Sequence, residues 1–324
     1  MGAIENIANF LRSKEANQFI ISSHINPDGD AIASSLAFGS LLQKLQKDYR
    51  IVFDGFLSDR FEFLPGFEAI LHINDSKPGE FKADHIVIVD ASNMNRLGEI
   101  TKIARQVDQI ICIDHHIGAE HFGNLSLIDT GAAASTQLIY DLISSLNVPF
   151  DARLASQIYT GIVAETGRFR FSNTSSKVLQ ICAEMVNYGA DPSFISENIY
   201  YQSAYESMKL LGVALNAMER HYDGKVIVIP LDYTILSQEI YKDADDDGIV
   251  DYTVSVRGVE VGIFLRESRP QEIRVSLRAK SDFDVQKVAG RFGGGGHKKA
   301  AGCRLKGSIE EIKRLMLEEV GRNL

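Results

Sequence analysis

The sequence has only three cysteines among its 324 residues. They are Cys112, Cys182 and Cys303, and no two of them stand at the Cys-x-x-Cys spacing of zinc sites and redox motifs. An odd number of scattered cysteines excludes the disulfide framework by which small secreted domains replace a large core. We therefore expect free or buried thiols in a reducing compartment.

Long hydrophobic runs are also absent. No apolar stretch approaches the ~18 residues that a membrane span needs. Near the N-terminus, Glu5, Asn6 and Arg12 interrupt the apolar residues, so this segment lacks the continuous core of a signal peptide. These absences predict a soluble cytoplasmic protein that has no membrane partner.

Basic residues are fewer than acidic ones, 34 against 43, which gives a formal net charge of −9. This balance argues against a protein that coats long nucleic acid, because such binding depends on many lysine and arginine contacts with phosphates. A locally basic pocket for a small phosphorylated ligand remains compatible with it. At about 150 residues per domain, the length predicts two domains.

The first half of the chain repeats an apolar run that ends in polar or acidic residues. The three runs are FIISSH (19–24), HIVIVD (85–90) and QIICID (109–114). Apolar runs without alternation indicate strands buried on both faces, and helical patterns lie between them. This order predicts a doubly wound parallel sheet in an α/β domain, with the active site at the carboxyl ends of the strands.

The remainder of the chain suggests the domain boundaries. A helical pattern over 192–221 is interpreted as a connector, which leaves 1–191 as the first domain. Strand-like segments after residue 222 predict a second, smaller α/β domain over 222–324. Within it, Asp243, Asp245 and Asp247 begin like a calcium-binding loop, but Val254 stands where such a loop needs glutamate. We interpret that segment as an acidic turn.

Metal-binding side chains follow the three apolar runs: His24, Asp28 and Asp30 after the first, Asp90 after the second, and Asp114-His115-His116 after the third. The first cluster alone is also a common turn, and an isolated aspartate at a strand end is usually a cap. Together, mixed aspartate and histidine ligands suit Mn²⁺, with Mg²⁺ or Co²⁺ as substitutes, and the lack of thiolates disfavours structural zinc. Two ions ~3.5–4 Å apart would clamp the attacking and leaving oxygens of a phosphoryl displacement.

A glycine run over 293–296 precedes His297, Lys298 and Lys299. Consecutive glycines let backbone N–H groups approach an anion, and a helix expected after them would add positive potential. A flexible linker is the alternative, but the basic residues that follow at once are not linker composition. We expect phosphate binding here. Arg278, in the preceding strand-like segment, contributes to it or is a solvated strand arginine.

Five motifs in this order resemble those of the DHH phosphoesterase superfamily, among its members with a DHH-associated C-terminal domain. They are SHINPDGDAIASS (23–35), VDASNMNRLG (89–98), IDHH (113–116), GIVAETGRF (161–169) and GGGGHKKAAG (293–302). The resemblance covers essentially the whole chain and is strongest to bacterial nano-RNases, which act as oligoribonucleases and 3′-phosphoadenosine 5′-phosphate (pAp) phosphatases. It implies an active-site cleft between the two domains. Relatives often dimerise, but the sequence identifies no interface.

The resemblance also implies roles for individual residues. Two metal ions would share Asp90, one with His24 and Asp28, the other with Asp30, His115 and Glu165. Around the scissile phosphate, Asp114 would orient the neighbouring histidine, His116 would contact the phosphate and Arg96 would bind it. The substrate would be gripped by four residues of the second domain: Arg278, Gly295, Gly296 and His297.

Glu165 departs from the family pattern, which has aspartate at this position of the fourth motif. The longer side chain changes where the carboxylate lies, and catalysis is sensitive to such displacement. The leading hypothesis is a Mn²⁺-dependent hydrolase that converts very short oligonucleotides to nucleoside monophosphates and pAp to AMP. The alternatives are a cyclic-dinucleotide phosphodiesterase and, because of Glu165, a catalytically weak nucleotide-binding regulatory protein. Pyrophosphatases of the superfamily lack the glycine loop, and RecJ-type exonucleases need further domains.

Overall fold

The computed structural model describes residues 2–75, 81, 83–242, 244–246 and 248–324. By their internal contacts, they form two compact units, Met1–Gln202 and Ser203–Leu324. Asp243 and Asp247 of the predicted acidic turn lie outside the described residues. Among the residues that are described, no helix combines the length and the apolar character needed to cross a membrane.

The first unit is built on a six-stranded parallel sheet with the strand order β3-β2-β1-β4-β5-β6. Its strands are β1 (Phe19–Ser22), β2 (Tyr49–Phe53), β3 (Ile70–His72), β4 (His85–Val89), β5 (Gln109–Asp114) and β6 (Leu125–Ile128). Strands β1 and β4 are buried at every position, as expected of strands covered on both faces. The predicted doubly wound parallel sheet is confirmed.

Seven helices of the first unit are described: α1 (Ala3–Arg12), α2 (Gly29–Lys44), α3 (Ile100–Ala104), α4 (Ser135–Ser145), α5 (Ala152–Glu165), α6 (Ser176–Asn187) and α7 (Pro192–Tyr200). Side-chain caps fix several starts, because an Asp or Ser oxygen accepts a backbone N–H of the first turn. Asp28 caps α2, Asp151 caps α5 and Ser175 caps α6. Helix α2 is buried from Gly29 to Leu42, so it is the central element of the larger core.

The sheet separates two apolar cores. The larger lies on the face that carries α2, α4 and α5, and the smaller packs Ile20, Ile86 and Ile88 against Ile100 of α3. The strand order reverses between β1 and β4, which are neighbours although β2 and β3 separate them in sequence. Ligands of open α/β sheets bind at the carboxyl ends of the strands beside such a reversal.

The second unit contains a mixed six-stranded sheet with the order β11-β12-β10-β9-β8-β7. Its strands are β7 (Glu219–His221), β8 (Val226–Leu231), β9 (Val261–Arg269), β10 (Glu272–Ala279), β11 (Gly295–His297) and β12 (Ala300–Lys306). Its helices are α8 (Tyr205–Asn216), α9 (Tyr233–Leu236), α10 (Ile249–Ser255), α11 (Val285–Gly290) and α12 (Ile309–Gly321). The 192–221 segment thus holds α7, which packs in the first unit, and α8, which packs in the second.

The segment after the glycine run differs from its prediction. A helix was expected there, but β11 and β12 form an antiparallel hairpin in which Gly295 pairs with Gly302. The physical reason is close packing: a Cβ on Gly294 would meet the carbonyl oxygen of Gly302, and a Cβ on Gly296 would lie 2.6 Å from the Ala301 Cα. The glycines therefore allow a tight strand pairing.

All three cysteines are buried, and no disulfide joins them. Burial raises the pKa of Cys112 and of Cys182 to about 12, and that of Cys303 to about 11. The prediction of buried thiols is confirmed.

The central position of α2 leads to a prediction about stability. Leu41 is fully buried in the larger core, whereas Leu179 on α6 is 50% exposed. Leu41→Ala should lower the free energy of unfolding of the first unit by about 2–5 kcal/mol, because it leaves a cavity. Hydrogen–deuterium exchange of peptides from α2 and α5 should accelerate in this variant and stay unchanged in Leu179→Ala. Equal exchange in the two variants would contradict the central role of α2.

Candidate active site

Three neighbouring strands deliver the candidate ligands to one edge of the first unit's sheet. His24 and Asp28 follow β1, Asp90 follows β4, and Asp114 ends β5. Asp90 has a φ of 55°, a left-handed conformation uncommon for a residue other than glycine. Such strain persists where the surrounding structure enforces it, and it clusters at functional sites.

The first group consists of His24, Asp28 and Asp90, whose ligand atoms lie within 4.8 Å of one another. His24 Nε2 is 3.9 Å from Asp28 Oδ2 and 3.7 Å from Asp90 Oδ2. His24 Nδ1 lies 2.9 Å from the Ile25 carbonyl oxygen, which can only accept, so Nδ1 carries the proton. Nε2, the other ring nitrogen, faces the two carboxylates, as the ligand nitrogen of a metal-binding histidine would.

The second group surrounds His115 Nε2. Three carboxylates approach this atom: Asp90 Oδ1 at 3.5 Å, Asp30 Oδ2 at 3.9 Å and Glu165 Oε1 at 3.9 Å. The nitrogen is buried and has no hydrogen-bond partner. A buried polar atom of this kind is costly unless a further group binds it. The donor set therefore fits a divalent cation, and Asp90 is common to both groups.

The electrostatics of these carboxylates also favour a bound cation. Burial, and then the charges of neighbouring carboxylates, raise the pKa of Asp90 well above its usual value. Burial likewise raises the pKa of Asp30, and it raises that of Glu165 to about 9, with further contributions from Asp30 and Asp28. Since buried like charges oppose ionisation of one another, a bound cation would relieve the repulsion.

The start of α4 supplies contacts that the sequence analysis missed. The Ser135 and Thr136 backbone N–H groups donate to the two oxygens of Asp30, at 2.6 and 3.1 Å, and the Thr136 hydroxyl donates to Asp30 as well. The Ser135 hydroxyl donates to Asp90 Oδ1 at 3.0 Å. A helix start favours negative charge, so α4 fixes both carboxylates. The only available signal was a Ser-Thr pair before a helical pattern.

Helix α5 brings Glu165 to the site, and a glycine sets how closely it approaches. A Cβ on Gly161 would overlap the Thr136 hydroxyl and lie 3.0 Å from Asp30 Oδ1. Past the helix end, the Asn173 side-chain amide donates to the carbonyl oxygens of Ala133 and Glu165, both at 3.1 Å. The end of α5 is thereby tied to the loop that precedes α4.

Asp114 and His116 form a separate pair beside Asp90. Asp114 Oδ1 lies 2.8 Å from His116 Nδ1 and accepts the backbone N–H of His115 at 2.9 Å. The imidazole ring that Asp114 contacts is therefore that of His116, not that of His115. Arg96 lies on a short 3₁₀ turn. Its own carbonyl oxygen accepts the backbone N–H of Ile25, the residue after His24.

The second unit places its predicted residues around a cavity of about 560 Å³. Gly295, Gly296 and Arg278 line it, and His297 follows them at the end of β11. A Cβ on Gly295 would meet nothing within 4 Å, so its backbone is open to a ligand. Arg278 Nε pairs with Asp251 Oδ1 at 2.7 Å, which neutralises part of its charge.

Comparison with known proteins identifies the two domains. The DHH family N-terminal domain matches residues 18–162, and the DHHA1 domain matches residues 223–322. The chain is 32% identical over 323 residues to the bifunctional oligoribonuclease and PAP phosphatase NrnA of Thermus thermophilus, covering 98% of this chain and 93% of that protein. This chain belongs to the DHH phosphoesterase family. The DHH protein of the same NrnA name from Bacillus subtilis is 24% identical, with 92% of each chain covered.

Solved structures extend the DHH assignment to the fold. An exopolyphosphatase-related protein from Bacteroides fragilis superposes with a TM-score of 0.92 at 26% identity, over 99% of this chain and 96% of that one. RecJ of Thermus thermophilus, solved with Mn²⁺, gives a TM-score of 0.58 at 13% identity, over 99% of this chain and 55% of that one. The RecJ likeness concerns the fold alone.

The contact between α4 and Asp90 leads to a prediction about metal affinity. Ser135→Ala removes the hydroxyl that donates to the shared carboxylate, so the affinity for Mn²⁺ should fall by about tenfold. Isothermal titration of the metal-free protein measures this affinity. The matched control is Ser144→Ala on the same helix, whose hydroxyl donates to the Tyr140 carbonyl oxygen. Equal affinities in the two variants would exclude a role for Ser135 in holding Asp90.

The raised pKa of Glu165 predicts how stability depends on pH without metal. Folded Glu165 keeps its proton up to about pH 9, whereas the unfolded chain releases it near the usual 4.5. The folded state thus binds more protons between these values, so stability in chelator should fall as pH rises from about 5 to 9. Glu165→Gln should reduce this slope in melting temperature, whereas Glu62→Gln, at an exposed position, should not. Identical slopes in all three proteins would refute the assignment.

Proposed function

We propose that this protein is a Mn²⁺-dependent hydrolase that cleaves very short oligonucleotides to nucleoside monophosphates and converts pAp to AMP. The observation that carries the proposal is the position of Asp90, which lies between His24 on one side and His115 on the other. A carboxylate shared by two ligand groups is what a two-ion phosphoryl-transfer site requires. The relatives named oligoribonuclease and PAP phosphatase suggest the substrates.

Six residues would hold the two ions. His24, Asp28 and Asp90 would hold one, and Asp30, Asp90, His115 and Glu165 the other. When bound, the ions supply Lewis-acid activation of water and of the scissile phosphate. The oxygen and imidazole donors suit Mn²⁺, with Mg²⁺ or Co²⁺ as substitutes.

The chain's own groups perform the remaining tasks. His116 is assigned the proton that the leaving oxygen takes up, and Asp114, 2.8 Å from its Nδ1, keeps the ring oriented. The Arg96 guanidinium contributes positive charge to the phosphate as negative charge develops on it. Helix α4 keeps Asp30 and Asp90 in place through contacts with Ser135 and Thr136, so little reorganisation accompanies the reaction.

The second unit is assigned the binding of substrate phosphate. The open backbone at Gly295, the adjacent Gly296 and His297, and the charge of Arg278 make its cavity suitable for an anion. A cavity of about 560 Å³ suits a mononucleotide or dinucleotide rather than a long strand. A protein with a net charge of −9 gains little from long nucleic acid.

The position of Glu165 helps to weigh the alternative of a catalytically weak nucleotide-binding protein. Its carboxylate comes as near to His115 Nε2 as that of Asp30 does, 3.9 Å in both cases. This reach supports a role as a ligand despite the longer side chain, and it gives less support to a protein that only binds nucleotides. Cyclic dinucleotides remain an outcome of the experiment below.

The deciding experiment is product analysis by chromatography. Purified protein is incubated with 5′-phosphorylated RNA dinucleotides, a 20-mer, pAp, cyclic di-AMP and pyrophosphate, each with Mn²⁺ and with chelator. We expect metal-dependent conversion of dinucleotides to mononucleotides and of pAp to AMP, with little attack on pyrophosphate or the 20-mer. Asp90→Asn should abolish turnover, because it removes the shared carboxylate.

Two results would contradict the proposal. Cleavage of cyclic di-AMP in preference to linear dinucleotides would favour the cyclic-dinucleotide phosphodiesterase. No turnover with any substrate, together with activity in Glu165→Asp, would favour a protein that binds nucleotides without hydrolysing them.

A further inference from the structure

Two arginines of the second unit stand directly opposite each other on neighbouring strands of its sheet. Strands β10 and β12 are antiparallel, and their register pairs Arg274 with Arg304. Both residues are exposed and lie in the interior of their strands. Like charges directly opposite on neighbouring strands are destabilising, so this pair costs stability unless an anion neutralises it.

The described part of the protein supplies no such anion. Among the described carboxylates, none lies within ion-pair distance of Arg274 or Arg304. Two neighbouring arginines differ. Arg278 pairs with Asp251 at 2.7 Å, and Arg266, which is opposite Arg274 on β9, has its Nε 2.6 Å from Asp246 Oδ2. Arg266 and Arg278 are therefore paired with carboxylates, whereas Arg274 and Arg304 have no carboxylate partner among the described residues.

The uncompensated pair lies where two cavities meet. Arg274 and Arg304 line the cavity of the glycine loop, and both also line a neighbouring cavity of about 220 Å³. That second cavity includes Lys306 and one acidic residue, Glu272, its partner across the strands. The charge of the pair is thus accessible from both cavities.

The spacing relates the pair to the glycine loop. Gly295 pairs with Gly302, and Gly302 pairs with Ser276, so these residues form one row across the sheet. Arg274 and Arg304 form the next row on the same face, about 7 Å away at two residues per repeat. This distance is comparable with the separation of consecutive phosphates in an extended oligonucleotide.

We propose that Arg274 and Arg304 form a second phosphate subsite beside the glycine loop, which binds an additional phosphate of the same nucleotide ligand. The inference rests on the proposed function for the class of ligand. Guanidinium groups match phosphate oxygens through paired hydrogen bonds, and a shared phosphate neutralises both charges. The additional phosphate is either the terminal phosphate of a dinucleotide or the second linkage of a trinucleotide.

Binding in the presence of chelator tests the subsite without turnover. Three ligands are compared by competition with a fluorescent nucleotide: ApA with one phosphate, pApA with an added terminal phosphate, and ApApA with an added linkage. The protein should bind pApA, ApApA or both about tenfold more tightly than ApA, as expected for hydrogen bonds to a charged group. The ligand that gains affinity identifies the source of the phosphate.

The variant Arg274→Gln/Arg304→Gln should bring the ratio of the Kd values close to one, and Arg304→Gln alone should give an intermediate ratio. The matched control is Arg220→Gln/Arg257→Gln, which removes the same charge from exposed arginines that line neither cavity. The control should keep the wild-type ratio. Circular dichroism melting checks that each variant is folded.

Two results would overturn the subsite: no preference in the wild type, or an unchanged ratio of Kd values in the double variant, including the case of an equal loss for all three ligands. If the preference follows the arginines but dinucleotides are not hydrolysed with Mn²⁺, the subsite is supported and the proposed hydrolase function fails. The two proposals are therefore tested separately.

Discussion

Mutual repulsion among buried carboxylates is the constraint on which the candidate active site of the first unit depends. Asp30 and Asp90 are almost completely buried, and Asp28 and Glu165 place two further carboxyl groups beside them. Without compensation, such a cluster would protonate or separate. The protein supplies part of the compensation through the start of α4, which directs two backbone N–H groups and two hydroxyls at Asp30 and Asp90.

The surrounding fold holds the cluster in a fixed geometry. Strands β1, β4 and β5 are neighbours, so the loops after them converge where the strand order reverses. Gly161 lets α5 approach Thr136 closely, and Asn173 joins the end of α5 to the loop before α4. The larger core contains the buried length of α2, which begins next to the cluster at its cap, Asp28. A rigid support of this kind is what a site with an uncompensated charge needs.

Sequence reasoning could predict the parts of this arrangement that local pattern determines. The apolar runs before His24, Asp90 and Asp114 predicted the buried parallel strands, and parallel strands place their carboxyl ends at one edge. The role of Ser135 could not be predicted, because its contact with Asp90 joins residues far apart in sequence and depends on how α4 packs.

The glycine run shows a second limit of sequence reasoning. Its composition predicted anion binding, but a helix was expected after it, and backbone packing against β12 produces a hairpin instead. Arg274 and Arg304 carried no local signal, since only the register between β10 and β12 brings them opposite each other. The sequence identified Glu165 as a departure from the family pattern. That its carboxylate approaches His115 could not be predicted, because this depends on where α5 lies.

The buried cysteines have a consequence for the protein's chemistry under oxidative stress. Since the thiolate is the reactive form, thiols whose pKa lies near 11 or 12 are almost entirely protonated at neutral pH. Peroxide and alkylating agents therefore find little thiolate to react with, and soft ions such as copper(I) find little thiolate to bind. The candidate ligands at the edge of the first unit's sheet are oxygen and imidazole groups, so the buried thiols would not compete with them for a metal ion.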